Sequence, residues 1–375
     1  MRAEQWHLKT LNVTGAWAYA TGEGVTVAVI DSGVDAGHVD LAGQVLKGVD
    51  MVSYPGDART DLVGHGTTVS ALIAGRGDDD AGVVGIAPKA KILPVRVLDQ
   101  QNRYDDALIV AKAVRWAVDN GARVINLSLG GNGSSAALAA ALDYAFAKDV
   151  VVVACTGNAG ASGSADVWYP AREPGVLAVT GMERDGDVLW PGSISGRQTV
   201  VAAPATQLVG ARPSDAYWRV QGTSFAAPMV SGTAALIRSR WPAMSAAEVI
   251  NRIIRTAQDR GLPGRDDEYG FGMVDPTRAL TDDVAPVSRN PLDTAPPPGV
   301  SRFGNAPAAG QAQSAPDNPT GTVRARASGA NAGWAIGDGP PAAPRSGNDW
   351  WAAALLFVLS AAVGLFTIRR FGGLA

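Results

Sequence analysis

The sequence predicts an α/β fold in which a mostly parallel sheet is covered by helices, and three observations carry that expectation. With 375 residues, 46% of them hydrophobic, the chain can enclose one large core or two modest ones. Over residues 1 to about 280, short continuous apolar runs recur, as strands buried on both faces require. Between them lie stretches with helical spacing, so strand, helix and strand alternate.

"VTVAVI" (25–30) reads as the first buried strand, followed by "KILPVRVL" (91–98), "ARVINLSL" (122–129), "VVVVAC" (150–155) and "GVLAVTG" (175–181). From Asp106 to Asn120, apolar residues fall at Leu108, Ile109, Val110, Val114, Ala117 and Val118, which is helical spacing, and Gly121 follows as a C-cap would. No short repeat suggests a solenoid.

From about 282 to 348 the composition changes, and eleven of the 23 prolines fall there among Ala, Gly, Ser and Asn. Such a segment buries too little to offset its ordering entropy, so a mobile, partly extended, disordered linker is expected. Trp350 to Ile368 then runs nineteen residues without a charge, ahead of Arg369 and Arg370. That length crosses a hydrocarbon core, and the tryptophans suit the interface at its other end. The expected organisation is a folded α/β domain (1–281), a linker (282–348), a transmembrane helix with its basic flank (349–370) and a short cytoplasmic tail (371–375). The paired arginines are expected to hold the tail inside and to put the folded domain on the extracytoplasmic side of the cell membrane. The opening "MRAEQWHLKTLNV" has no apolar h-region and no small-residue cleavage site, so a trimmed or misplaced start is expected rather than an inverted topology.

The formal charge of -3 is spread without a basic stripe, so nucleic acid is not an expected partner. A single cysteine, Cys155, excludes an intrachain disulfide framework and Cys-based zinc motifs.

Chemistry concentrates at four places. "AVIDSGVD" sets Asp31 just past a strand, where parallel α/β sheets build their sites. "GHGTTVSALIAG" sets His65 between two glycines at the start of a helix, "TGNAG" sets Asn158 after the strand ending at Cys155, and "GTSFAAPMVSGTAALI" opens an apolar helix with Ser224. Singly, each has a plain explanation as a helix cap or turn residue. Together they supply an acid, a base, an oxyanion donor and a nucleophile, all near element ends. Ser224 at a helix N-terminus gains exposed N–H groups and a positive dipole end. Gly222 and the following alanines leave room for substrate and close packing, and Pro228 is expected in the first turns, where its missing N–H costs little.

The order Asp, His, Asn, Ser, with "DSG", "HGT", "GN" and "GTSFAAP" around them, resembles the subtilisin-like serine proteases over residues 1 to about 280. The resemblance implies a subtilisin-like three-layer fold with a mostly parallel central sheet, protein or peptide substrates and no cofactor. It implies Ser224 as nucleophile, His65 as general base and then acid, Asp31 as the group orienting His65, and Asn158 with the Ser224 N–H as oxyanion donors. It also implies that "SLGG", Ser128, Leu129, Gly130 and Gly131, is an edge pairing with extended peptide, the plain alternative being a strand followed by a glycine turn. Residues 154–158, including Ala154, Cys155 and Gly157, then wall the pocket for the side chain before the cleaved bond. Cys155 is expected as a thiol near bound substrate, or else as a small buried hydrophobe. Aligning "WYPAREPGVLAVTG" with the family puts Trp168 near the base of that pocket, making it shallow and suited to small residues such as Ala.

The family often carries a structural calcium. Asp40 in "HVDL" and Asp79 in "GDDDAGVVGIAP" match two of its ligand positions, but an N-terminal ligand has no visible counterpart, so a solvated acidic loop is expected and calcium dependence stays open. The domain, linker and membrane helix together resemble the mycosins, membrane-bound proteases of type VII secretion systems. Mycosins normally add a signal peptide, an N-terminal extension and disulfides, none of which is visible here. That resemblance implies limited proteolysis of exported proteins and contact with secretion components, with a structural scaffold role as the alternative.

Overall fold

All five apolar runs form strands, and all five join one sheet. The computed structural model describes residues 1–293, except 54, 79–80, 105, 161–164 and 185–186, together with Val300–Ser301, Gly304–Asn305 and Trp334–Ala335. These lie within the first of the chain's two compact units, Met1–Asp338. The strands are β1 (Thr26–Asp31), β2 (Val49–Asp50), β3 (Lys91–Arg96), β4 (Arg103–Tyr104), β5 (Val124–Leu127), β6 (Val151–Cys155), β7 (Leu177–Met182), β8 (Val201–Pro204), β9 (Leu208–Arg212) and β10 (Ala216–Val220). The helices are α1 (Trp6–Thr10), α2 (Val13–Ala16), α3 (His65–Ala74), α4 (Ala107–Asp119), α5 (Ala136–Ala147), α6 (Thr223–Arg240), α7 (Ala246–Thr256) and α8 (Pro276–Thr281).

Seven strands form a parallel sheet in the order β2-β3-β1-β5-β6-β7-β8, while β9 and β10 make a separate hairpin. Every residue of β5 to β8 is buried. Successive side chains of a strand point to opposite faces, so complete burial means that both faces are covered. The cover comes from two helix pairs, α4 with α5 and α3 with α6. From β1 the chain goes to β3 on one side and later to β5 on the other, opening a switch point beyond the carboxyl ends of β1 and β5.

Helix α4 begins at Asp106, whose side chain caps Leu108 N, and Gly121 just beyond it has φ +83°, as its place past a helix end requires. Helix α6 has every residue from Thr223 to Arg238 buried, so it is a core helix with no solvent face.

The segment 282–293, assigned to the linker by its prolines, is tied to the domain. Asn251 Nδ2 donates to Ala285 O at 3.0 Å, Asn290 Nδ2 to Gly175 O at 2.9 Å, and Gly175 N to Leu292 O at 3.0 Å. Proline content set that boundary too early, because composition does not register which backbone groups a neighbouring domain can satisfy. Beyond it, Val300–Ser301 pairs with Gly304–Asn305 and Trp334–Ala335 with β4, both antiparallel. The rest of the expected linker and the expected transmembrane helix lie outside the described residues. Among the described residues no helix is long and apolar enough to cross a membrane.

His7 in α1 is 0% exposed, and neither ring nitrogen has a hydrogen-bond partner. Burial disfavours the imidazolium and pushes its pKa from 6.5 down to about 3. The unfolded chain therefore binds this proton at higher pH than the folded one does. Stability should fall as pH drops from the unfolded value toward the folded one, by up to about 1.4 kcal/mol per pH unit. Denaturant unfolding at pH 7 and pH 5 should show the loss, and His7→Leu should flatten it.

Candidate active site

Asp31 is the last residue of β1 and 0% exposed. Its Oδ1 and Oδ2 lie 2.8 and 3.0 Å from His65 Nδ1. A carboxylate only accepts, so Nδ1 carries the donated proton and the neutral ring keeps its lone pair on Nε2. That Nε2 is buried and has no hydrogen-bond partner. Ser32 N donates to Asp31 Oδ1 at 2.7 Å, fixing the carboxylate from the other side.

The two glycines around His65 have separate reasons. Gly64 adopts φ +96°, and a Cβ on Gly66 would lie 2.1 Å from Gly33 O and 3.2 Å from Asp31, so only glycine lets α3 come this close to β1. Asp61, which the sequence reading missed, organises the approach to His65. Its buried carboxylate accepts five hydrogen bonds, from Ser32 Oγ, Val63 N, Gly64 N, Thr67 N and Thr67 Oγ1. An Asp four residues before the helical His, followed by Gly64 and Thr67, was the available signal for a helix cap.

Ser224 lies in the first turn of α6, after Gly222 at φ +139°, and the neighbouring Phe225 packs its ring 5.2 Å from the His65 imidazole. Asn158 is placed by Thr223, whose N and Oγ1 donate to Asn158 Oδ1 at 3.0 and 2.9 Å. A backbone N–H can only donate, so this bond fixes the amide orientation and leaves Nδ2 as the group available to an oxyanion. A Cβ on Gly222 would lie 3.3 Å from that Nδ2.

Pro228 is six residues into α6, so its missing N–H does remove a helical bond, the one Ser224 O would accept. The expectation of a negligible cost is corrected here. Ser128 Oγ donates to Ser224 O instead, at 2.6 Å. Behind it, Ser231 Oγ donates to Asn126 Oδ1 at 2.9 Å and Asn126 Nδ2 to Ser128 Oγ at 2.9 Å. This buried chain joins the backbone of Ser224 to the end of β5.

The expected substrate residues divide. Ser128 is 0% exposed, and its side chain supports the Ser224 carbonyl. Gly131 is bonded both ways to Tyr169, Gly131 N to Tyr169 O at 3.0 Å and Tyr169 N to Gly131 O at 2.8 Å, so its backbone groups are already paired within the domain. Ala154 is an interior residue of β6, paired with Leu127 and Ala178. Cys155 is buried, with Sγ 3.9 Å from Ser224 Oγ and 3.9 Å from Leu129 O. Burial pushes its thiol up to about 11, so at neutral pH it is a small hydrophobe beside the Ser224 hydroxyl. Gly157 and Trp168 are in contact, with the Trp168 side chain fully buried.

The loop expected to be solvated and acidic is held, at Ala81, Val83 and Val84, by other parts of the chain. Gln5 clamps Val84, accepting from its N and donating to its O, both at 2.9 Å. Arg2 donates to Ala81 O at 2.5 Å, and Asp40 Oδ2 accepts from Val83 N at 2.8 Å. The N-terminal segment thus has a counterpart at this loop after all, one that local sequence could not reveal across 79 residues. A guanidinium on the loop carbonyls does not fit a calcium cage, whose ligands are oxygens turned toward one ion. Asp79 lies outside the described residues, and among those described no three acidic, His or Cys side chains group as metal ligands.

A parallel α/β sheet carrying a carboxylate–histidine pair, a serine at a helix N-terminus and a pinned amide at its carboxyl edge defines a subtilisin-type serine peptidase. The chain belongs to the subtilase family, whose model matches residues 22–272, and is by that membership a serine endopeptidase. It is 39% identical to subtilisin DY of Bacillus licheniformis over 255 residues, 68% of this chain and 89% of that protein. It spans 65% of the length of subtilisin E of Bacillus subtilis. Among solved structures it resembles MycP1 from Mycobacterium smegmatis, with TM-score 0.67 and 30% identity over 78% of this chain and 89% of that one. It also resembles the MycP3 protease from the type VII (ESX-3) secretion system, with TM-score 0.64 and 33% identity over 74% of this chain and 88% of that one.

Ser128→Ala should leave the Ser224 carbonyl buried and unpaired, destabilising the protein by about 1–3 kcal/mol. Steady-state peptide hydrolysis should show kcat reduced about tenfold (~1.4 kcal/mol) with KM little changed, since Ser128 acts through the placement of Ser224.

Proposed function

We propose that this protein hydrolyses peptide bonds of exported proteins with Ser224 as nucleophile, in association with a type VII secretion system. The observation that carries the chemistry is the buried 2.8 Å contact between Asp31 and His65, which leaves His65 Nε2 unpartnered beside the Ser224 turn. Ser224 Oγ attacks the scissile carbonyl carbon while His65 Nε2 takes its proton. The carbonyl oxygen becomes an oxyanion held by Asn158 Nδ2 and Ser224 N–H, a contribution of about 3 kcal/mol for the side-chain donor. As the C–N bond breaks, His65 returns the proton to the leaving amine. Water then attacks the acyl-enzyme by the same route in reverse, freeing the acid and Ser224. Asp31 holds the imidazole in its productive tautomer and stabilises the imidazolium.

The secretion assignment is supported by the likeness to MycP1 and to MycP3, and by the proline-rich segment leading into the apolar run 350–368. In this reading the run anchors the protein in the cell membrane and the catalytic domain faces outward. Labelling of intact cells with a membrane-impermeant fluorophosphonate should mark the wild type and not Ser224→Ala, whose kcat should fall by at least about 10⁴-fold. Labelling only after lysis would place the domain on the cytoplasmic side. Normal secretion by Ser224→Ala would favour a scaffold role.

In the same proposal the 76–84 loop is held by Arg2 and not by calcium. Chelation should leave the melting temperature unchanged, whereas Arg2→Ala should lower stability by about 1–2 kcal/mol through loss of charge-assisted bonds to loop carbonyls. A chelator-induced drop in melting temperature would contradict it.

A further inference from the structure

We infer that Trp168 closes the slot that receives the side chain before the scissile bond, so that this peptidase cleaves after Ala, Gly or Ser and excludes Leu and Phe. The inference rests on the reading of Ser224 as nucleophile and adds its substrate class.

Two backbone segments flank the slot. One follows β5 and contains Leu129 and Gly130; the other leaves β6 and contains Cys155, Thr156 and Gly157. Cys155 Sγ, 3.9 Å from both Leu129 O and Ser224 Oγ, shows that the walls converge beside the nucleophile. The segment 168–169 crosses between them and is tied to each. Trp168 N donates to Thr156 O at 2.9 Å, and Tyr169 exchanges hydrogen bonds with Gly131 at 2.8 and 3.0 Å. The position of Trp168 is therefore set by backbone bonds on both sides, which a side-chain rotation in a bound substrate cannot shift.

The indole fills the space that the glycines leave. A Cβ built on Gly157 would lie 2.4 Å from Trp168 Cδ2, 2.6 Å from Cε2 and 2.7 Å from Cγ, so the ring lies directly against the glycine backbone. A Cβ on Gly130 would lie 3.2 Å from Trp168 Cβ and 3.4 Å from Cε3. Glycines on both walls would open a deep slot if a small residue occupied position 168. Here the two glycines accommodate tryptophan instead, and its side chain is among the largest that are completely buried. A close-packed ring without solvent exposure does not compress, so a large incoming side chain would have to displace it. A methyl or hydroxymethyl group needs no such displacement.

The test compares peptide p-nitroanilides identical except for Ala, Ser, Leu or Phe before the cleaved bond, using the full-length protein. The expected kcat/KM for Ala exceeds that for Phe by about 100-fold or more, a ratio of the size that pocket fit controls. Trp168→Gly should raise Phe turnover at least about tenfold and shrink the ratio, with Trp168→Val intermediate. Equal turnover of Ala and Phe peptides by the wild type, which needs no variant to interpret, would overturn the inference. So would an unchanged ratio in a folded Trp168→Gly protein. Ser224 labelling by a small fluorophosphonate reports the nucleophile separately. Labelling without preference for Ala overturns the slot alone, while no labelling and no turnover of any peptide overturns the serine-peptidase reading beneath it.

Discussion

Helix α6 is enclosed on every side, and enclosure obliges each of its polar groups to find a partner inside the protein. Pro228 removes one donor from that helix, and the carbonyl it strands belongs to Ser224. The replacement bond from Ser128, backed by Asn126 and Ser231, makes the end of β5 and the start of α6 one rigid unit. Strand β5 is also the strand that leads into Leu129 and Gly130. The same buried network therefore sets Ser224 and the Leu129–Gly130 segment relative to each other.

On the opposite side of the switch point, close approach governs. Gly66 brings the first turn of α3 against Gly33, and Asp61 gathers the backbone donors that a helix N-terminus leaves unpaired. What remains free to interact with Asp31 is the imidazole of His65. Phe225, next to Ser224, then packs on that imidazole and links the two halves of the site through an apolar contact. Pre-organisation here comes from bonds already made in the free protein, so little rearrangement is left for the moment of reaction.

The parallel sheet and the placement of Asp31, His65 and Ser224 at strand and helix ends were legible because their signals are local. Continuous apolar runs mark doubly covered strands, and a serine or histidine at a helix start is marked by the glycines it needs. The errors share one cause. Pro228 looked harmless from its nearest neighbours, the residues after Thr281 looked like linker from their composition, and the N-terminal segment showed no visible counterpart to a loop 79 residues away. Each depends on a hydrogen-bond partner that the chain delivers only on folding.

By itself, then, the sequence determined the α/β class, the five apolar strands and the helix after Asp106, and it singled out Asp31, His65, Asn158 and Ser224 as candidates at element ends. It determined these because periodicity and helix or turn chemistry act within a few residues. Tertiary structure alone decided that Ser128 supports the Ser224 carbonyl across 96 residues, that Asp61 is a five-bond junction, and that Arg2 reaches the loop of Ala81. It also decided how closely the Trp168 ring, expected near this place from the family resemblance, lies on Gly157 and Gly130. Those facts depend on which surfaces meet when the sheet closes between its helices, and no local pattern encodes that meeting.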